Sequence, residues 1–298
     1  MPSNTRRARS HQSIDELDPR QWNALAGTDI PFLRHEFLAA LEHCGCIGAH
    51  TGWQPRYITL SDERGLAAAV PAFEKTHSYG EFVFDFGWAQ AYSRLGRRYY
   101  PKLTIAVPFT PATGRRILVR GDLNERAITT EMLKQIEQLA QERGFSSVHA
   151  LFLDEPGREA CEGAGWLMRR DCQFHWTNRG YADFDAYLAT FTAEKRKKAR
   201  RERRRVAEAG IVFETHRGAD LDPRLLDQVY AFHQDTFLRH GHEPYLTREF
   251  FGEICRTLGD ALLVKVAMFG KRPVAAGIFF FLGGLSAGAF LLAGILAG

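Results

Sequence analysis

The sequence lacks a cysteine framework. Its five cysteines are an odd number and widely scattered, which excludes a disulfide-stapled fold and points to a reducing compartment, hence a cytoplasmic location. No second cysteine pair stands at zinc-site spacing from Cys44 and Cys46, so no metal is expected in spite of the flanking His43 and His50. The opening MPSNTRRARSHQS is basic but has no apolar run, which excludes a secretory signal; residues 1–13 are read as a basic flexible tail. One-sided charge is missing too, since 39 basic residues stand against 35 acidic ones for a net +4. No helix-turn-helix, RNP-type or zinc-finger signature is present, and no DNA partner is expected.

What is there is the composition of a globular chain, 45% hydrophobic and 25% charged, enough to bury a core at a length that suits two domains. Helical periodicity opens at residues 14–25 behind a Ser13 cap and returns with Phe37, Leu38 and Leu41. Strand-like runs follow at 56–60 and 66–73, joined by the turn at 62–65, and another at 116–120. Residues 125–143 carry Ile128, Met132, Ile136 and Leu139 on one helical stripe, with Gly144 as the stop. Strand 145–153, helix 157–164 and strand 166–177 close a first domain, 14–180. A second unit, 181–298, has helices at 184–191, 193–209, 223–238 and 248–258. Strands are expected at 211–216, 261–269 and 274–281, then a turn at Gly283-Gly284 and a last run at 285–292. This is an α/β chain with mixed sheets in two units. The second lacks the closing helix–strand–helix–strand of the first and is expected to be incomplete.

Two segments carry chemistry. Nine of the basic residues crowd into 195–205 on one helix, where Lys195, Arg196, Arg200, Arg201 and Arg204 repel their neighbours. A bound polyanion relieves that repulsion through phosphate contacts; the competing reading is a solvated face. The aromatic stretch from His77 to Lys102 is the second. His77, Glu81 and Asp85 suit acid–base chemistry, and Tyr79, Tyr99, Tyr100 and Lys102 suit holding a substrate. Against this, Phe82, Phe84, Phe86 and Trp88 alternate as core residues of a strand would, leaving the polar residues to water.

Several runs resemble the bacterial FemAB-like N-acyltransferases: IDELDPRQWNAL, PFLRHEFLAALE, GWQPRYITL, CQFHWTNRGYADFDAYLATF and above all the motif from KTHSYGEF through RRILV. The resemblance runs from about Ile14 to about Phe290. It implies two acetyltransferase-like (GNAT-type) units in tandem, and attack by an amine on an ester or thioester carbonyl to give an amide. It implies acyl-CoA or aminoacyl-tRNA as donor, with tRNA as a partner, a peptidoglycan-related, phosphate-bearing small-molecule substrate, and the helix EKRKKARRERRRVAEAGI as the phosphate contact. The sequence has no Q/R-x-x-G-x-G/A loop of the kind that holds coenzyme A. The resemblance fades after GGLSAGAF, which implies a truncated chain whose activity is curtailed.

Two rival classes remain. One is a non-catalytic protein binding nucleic acid or anionic lipid through the basic helix 193–209. The other is a membrane-anchored protein using residues 273–298, which carry no charge over a length that could span a bilayer. Gly277, Gly283, Gly284 and Gly288 favour a buried strand meander over that second reading.

Overall fold

The computed structural model describes residues 6–83, 85–282 and 289–297. In chain order its elements are β1 (Arg7–His11), α1 (Pro19–Ala26), α2 (His35–His43), β2 (Trp53–Pro55), β3 (Tyr57–Asp62), β4 (Gly65–Val70), β5 (Ala72–Lys75), α3 (Phe86–Arg94), β6 (Lys102–Ile105), β7 (Leu118–Val119), α4 (Glu125–Glu142), β8 (Val148–Ala150) and α5 (Glu155–Gly163). The second half adds α6 (Phe184–Ala189), α7 (Ala193–Glu208), β9 (Ile211–Arg217), α8 (Pro223–Arg239), α9 (Arg248–Thr257), β10 (Leu262–Phe269), β11 (Arg272–Leu282) and β12 (Ala289–Ala297). The class is α/β with mixed sheets, as the sequence implies.

Among the described residues three four-stranded sheets form, in the orders β1-β3-β4-β7, β2-β5-β6-β8 and β12-β11-β10-β9. All named pairs are antiparallel except β6 with β8, which run parallel with Leu103 opposite Val148. That pair is joined through α4, the crossover helix a parallel pair requires. Ile128, Met132 and Ile136 of α4 are buried on its sheet face. Both halves repeat one order: two helices, then an antiparallel run of strands.

Several local readings need correcting. Arg7–His11 is not a loose tail; it pairs with β3, Arg7 opposite Ser61 and His11 opposite Tyr57, and Arg6 binds Glu131 at 2.7 Å. Ser13 caps a 3-10 turn at Ile14–Glu16, but the α-helix starts only at Pro19, because Asp18 caps it with bonds from Arg20 N and Gln21 N and proline belongs at the first helical position. The run 66–73 breaks into β4 and β5 around Pro71, which has no N–H to give a ladder. Residues 166–177 form no strand. No neighbour pairs with them among the described residues, and Leu167 and Phe174 are 99% exposed. The described residues of the apolar tail 273–298 form no membrane helix. They lie in β11 and β12, paired with Phe279 opposite Leu292, and no described helix is long and apolar enough to cross a membrane. The expected Gly283-Gly284 turn lies outside the described residues.

The core does not divide near residue 180. Phe37 on α2 packs against Phe250 on α9 with ring centroids 5.5 Å apart, and against Phe280 on β11 at 6.2 Å. Phe32 meets Phe280 at 4.8 Å. Leu38, Leu41, Ile254, Val264 and Val266 belong to the same buried cluster. Cys44 and Cys46 sit on this seam: Thr247, the α9 cap, donates its hydroxyl to Cys44 O at 3.2 Å and lies 3.7 Å from Cys46 Sγ. Burial raises both thiols above their ordinary range.

A fragment 1–180, expected from sequence to fold alone, would expose this apolar face and should self-associate in size-exclusion chromatography. In the whole chain, Phe37→Ala should cost about 3–5 kcal/mol in urea unfolding. A monodisperse, cooperatively folded fragment would contradict the shared core.

Candidate functional site

Strands β5 and β6 bring two lysines side by side, Lys75 opposite Lys102 in register. Both side chains are fully buried, and a buried ammonium must find partners or lose its proton. Lys102 finds them in the loop that follows β5. Its Nζ donates to Glu81 Oε2 at 2.8 Å, Asp85 Oδ2 at 2.6 Å and Ser78 Oγ at 3.0 Å. Tyr99 OH donates to the same Asp85 oxygen at 2.7 Å, and Ser78 Oγ shares a 2.8 Å hydrogen bond with Tyr100 OH. Burial alone would raise Asp85, yet the bonds from Lys102 and Tyr99 hold it below its ordinary value. Burial wins at Glu81 and pushes it up. Tyr99 and Tyr100 are both raised, by burial first.

Lys75 has no carboxylate within ion-pair reach among the described residues. Its Nζ lies 3.8 Å from the Trp53 ring centroid and donates to Tyr79 O at 3.3 Å. Trp53 Nε1 donates to the same carbonyl at 3.0 Å. Burial lowers Lys75 to about 7. His77 is lowered by burial and then by Lys75; its Nδ1 accepts from Tyr79 N at 3.2 Å. His149 on β8, its ring 6.0 Å from Tyr99, is lowered to about 4 by burial and then by Lys102.

The loop carrying these groups is tightly constrained. Phe82 and Phe109 hold left-handed backbones, φ +55° and +57°, a strained state for bulky residues that persists only where packing enforces it. Both rings pack on Tyr245 from the second half, at 6.4 Å and 5.0 Å. Gly80 (φ +78°) lets the loop pass, since a Cβ there would come within 2.6 Å of the Phe109 ring. The expected alternating core strand is absent. Phe86 and Trp88 lie on α3, which buries no residue, and Phe84 is outside the described residues.

The structure thus unites His77, Tyr79, Glu81, Asp85, Tyr99, Tyr100 and Lys102 in one cluster. Only His77, Tyr79 and Tyr100 of these reach the surface. Sequence reading missed Lys75, Ser78, Trp53 and His149. Period-2 spacing of Lys75 from Phe73 on a buried strand was an available signal for the first.

Lys195, Arg196, Arg200, Arg201 and Arg204 lie apart from this cluster on α7. No hydrogen bond, ion pair or ring contact joins the two groups among the described residues. Thr192 caps α7 by accepting from Lys195 N, and no residue of α7 is buried. Arg200 binds Asp185 at 3.0 Å and Arg204 reaches Glu208 at 3.5 Å, while Lys195, Arg196 and Arg201 have no acidic partner among the described residues. Between α6 and α7 lies an open cleft of about 340 Å³ lined by Asp183, Phe184, Asp185, Leu188, Arg200 and Arg203. Arg203 stacks 4.2 Å from the Phe184 ring.

The model of the FemAB-like family, described as peptidoglycan biosynthesis/recognition, matches residues 13–285. No curated protein sequence matches the chain. Among solved structures, L-PGS from Bacillus licheniformis is similar over 91% of this chain and 66% of its own, at 14% identity and a TM-score of 0.48. A conserved protein of unknown function from Bacteroides thetaiotaomicron VPI-5482 is similar over 95% of this chain and 74% of its own, at 11% identity and TM-score 0.46. A GCN5-related N-acetyltransferase from Kribbella flavida covers 99% of this chain with 58% of its own, at 11% identity and TM-score 0.31.

Lys102→Met should strand Glu81 and Asp85 without their cation and cost about 3–5 kcal/mol in urea unfolding. A loss under 1 kcal/mol, an order-of-magnitude floor for an exposed pair, would contradict the cluster. Lys75 gives a second, pH-dependent expectation. Its folded value near 7 lies below the ordinary 10.5, so the unfolded chain binds the extra proton between them. Stability should therefore rise with pH from about 7 to about 10, and Lys75→Met should flatten that slope.

Proposed function

The chain belongs to the FemAB-like family, and from that premise we propose that it is an N-acyltransferase-like protein that passes an acyl or aminoacyl group to an amine, one of its substrates bearing phosphate. The observation that carries the phosphate part is α7, where Lys195 and Arg201 stand exposed and Arg196 half-exposed, none with an acidic partner among the described residues. Cations in that state lose little by meeting an anion and gain charge-assisted hydrogen bonds. The repeated helix–helix–strand order of the two halves fits tandem acetyltransferase-like units.

The reaction asks for a neutral amine, a carbonyl and somewhere for a proton to go. The amine lone pair attacks the carbonyl carbon of the ester or thioester, the C–O or C–S bond breaks, and the amine's proton must be accepted. His77 is assigned that role; its Nδ1 takes the proton by giving up the hydrogen bond it accepts from Tyr79 N. Burial and Lys75 lower its proton affinity, which keeps the ring neutral at physiological pH. Tyr79, whose ring lies 5.3 Å from that of His77, and Tyr100, bonded to Ser78, are assigned as substrate contacts. Glu81, Asp85 and Lys102 are closed to solvent; they position Ser78, Tyr99 and Tyr100 rather than touch substrate. Donors of the acyl-CoA or aminoacyl-tRNA type fit a cytoplasmic location, as do five free cysteines.

Transfer to an amine acceptor should be assayed with coenzyme A thioesters and with aminoacyl-tRNA in parallel. Lys195→Gln, Arg196→Gln and Arg201→Gln together should raise KM for the phosphate-bearing substrate at least tenfold, at about 1.4 kcal/mol per decade, and leave kcat nearly unchanged. His77→Ala should lower kcat. Salt-sensitive anion binding without turnover on either donor would replace this reading with the non-catalytic polyanion binder.

A further inference from the structure

Helix α3 is a surface helix that buries none of its residues among the described ones. Trp88 is 61% exposed and Leu95, its C-terminal cap, 73%. Trp88, Tyr92 and Leu95 fall at i, i+4 and i+7, one stripe of the helix. Only Tyr92 on that stripe is half-covered, by its edge-on contact with the Tyr99 ring at 5.2 Å. Phe86 extends the apolar surface toward Tyr79, ring centroids 5.7 Å apart, and both rings are largely exposed.

Along residues 86–98 the charges have one sign. Arg94 closes the helix, Arg97 and Arg98 follow it, and all three are exposed. None of them makes an ion pair among the described residues, and no exposed acidic residue lies between Phe86 and Arg98. Part of the arginine charge is explained by the helix dipole, whose negative end Arg94 faces. That effect accounts for one cation at the last turn and not for two more beyond it.

We propose that α3 and the Arg97–Arg98 turn dock the protein on an anionic lipid bilayer surface. Trp and Tyr rings partition to the headgroup level, and leucine enters the upper acyl region. Unpaired arginines meet lipid phosphates at about 1 kcal/mol each. A short helix lying flat with aromatic and leucine side chains beside a row of cations has the chemistry of an interfacial anchor. This contact is separate from the apolar C-terminal strands and from α7. It does not depend on the acyl-transfer reading.

The test is flotation of the full chain with vesicles of pure phosphatidylcholine and of phosphatidylglycerol over a salt series. Wild type should float with phosphatidylglycerol alone, less so as salt rises. Arg94→Gln, Arg97→Gln and Arg98→Gln together should weaken partitioning on the order of a hundredfold, and Trp88→Ser with Leu95→Ser should abolish it. Because α3 buries nothing, these variants should keep the wild-type Tm. A measurement that needs no α3 variant is quenching by brominated phosphatidylglycerol in a Trp176→Phe chain, where Trp88 is the most exposed indole; strong quenching is expected. Three results would overturn the proposal. One is no flotation with either lipid. Another is flotation that survives the α3 changes but is lost with Lys195→Gln, Arg196→Gln and Arg201→Gln. The third is a dimer in light scattering that Trp88→Ser disperses, which would make the face a protein interface.

Discussion

Phe37 is the point on which the two halves of this chain depend. It stands on α2 between Phe32, Phe250 and Phe280, so that the first helices of one half and α9 and β11 of the other bury each other. Each half alone would leave that surface in water at roughly 25 cal/mol per Å² of apolar area. Thr247 reinforces the seam from the polar side by capping α9 and bonding Cys44 O with the same hydroxyl. The joined halves then place Tyr245 against Phe82 and Phe109, and this contact enforces the strained loop that carries the candidate site.

Inside that loop a second constraint operates. Two lysines on neighbouring strands cannot both stay charged in a dry pocket without anions, and the loop supplies Glu81 and Asp85 to one of them. The other, Lys75, is left with a ring face and a carbonyl. The cluster is therefore asymmetric: a firmly paired ammonium at Lys102, and at Lys75 an amine whose proton is loosely held near neutral pH. Such an arrangement organises Ser78, Tyr99 and Tyr100 and leaves His77 and Tyr79 at the surface. Buried charge fixes the scaffold, and the accessible side chains beside it are the ones free to meet a substrate.

The helices were largely legible in the sequence because their signals are local. Asn124, Asp183, Thr192, Asp222 and Thr247 each accept a bond from the first turn of the helix that follows, and the α4 stripe of Ile128, Met132 and Ile136 is the buried one. The basic run 195–205 was likewise visible as one exposed helix. Strands were less so. Arg7–His11 looked like a tail because RARSH has only Ala8 as an apolar residue, and its pairing comes from β3, which lies some fifty residues away in the chain. Residues 166–177 had the composition of a strand, but a strand exists only where another offers its edge.

What the sequence by itself determined is the set of caps, stripes and charge runs, and through the family's motifs the membership over residues 13–285. Tertiary structure alone decided the rest. Alternation at Phe82, Phe86 and Trp88 could not say whether those rings were core or surface; packing against Tyr245 and the Lys102 cluster forced the loop, and α3 was left outside. Lys75 drew no reading from the sequence, and it is buried because its strand neighbours close over it. A boundary near residue 180 looked natural along the chain, but apolar area is buried wherever it meets its complement in space, and here that complement lies on the far half.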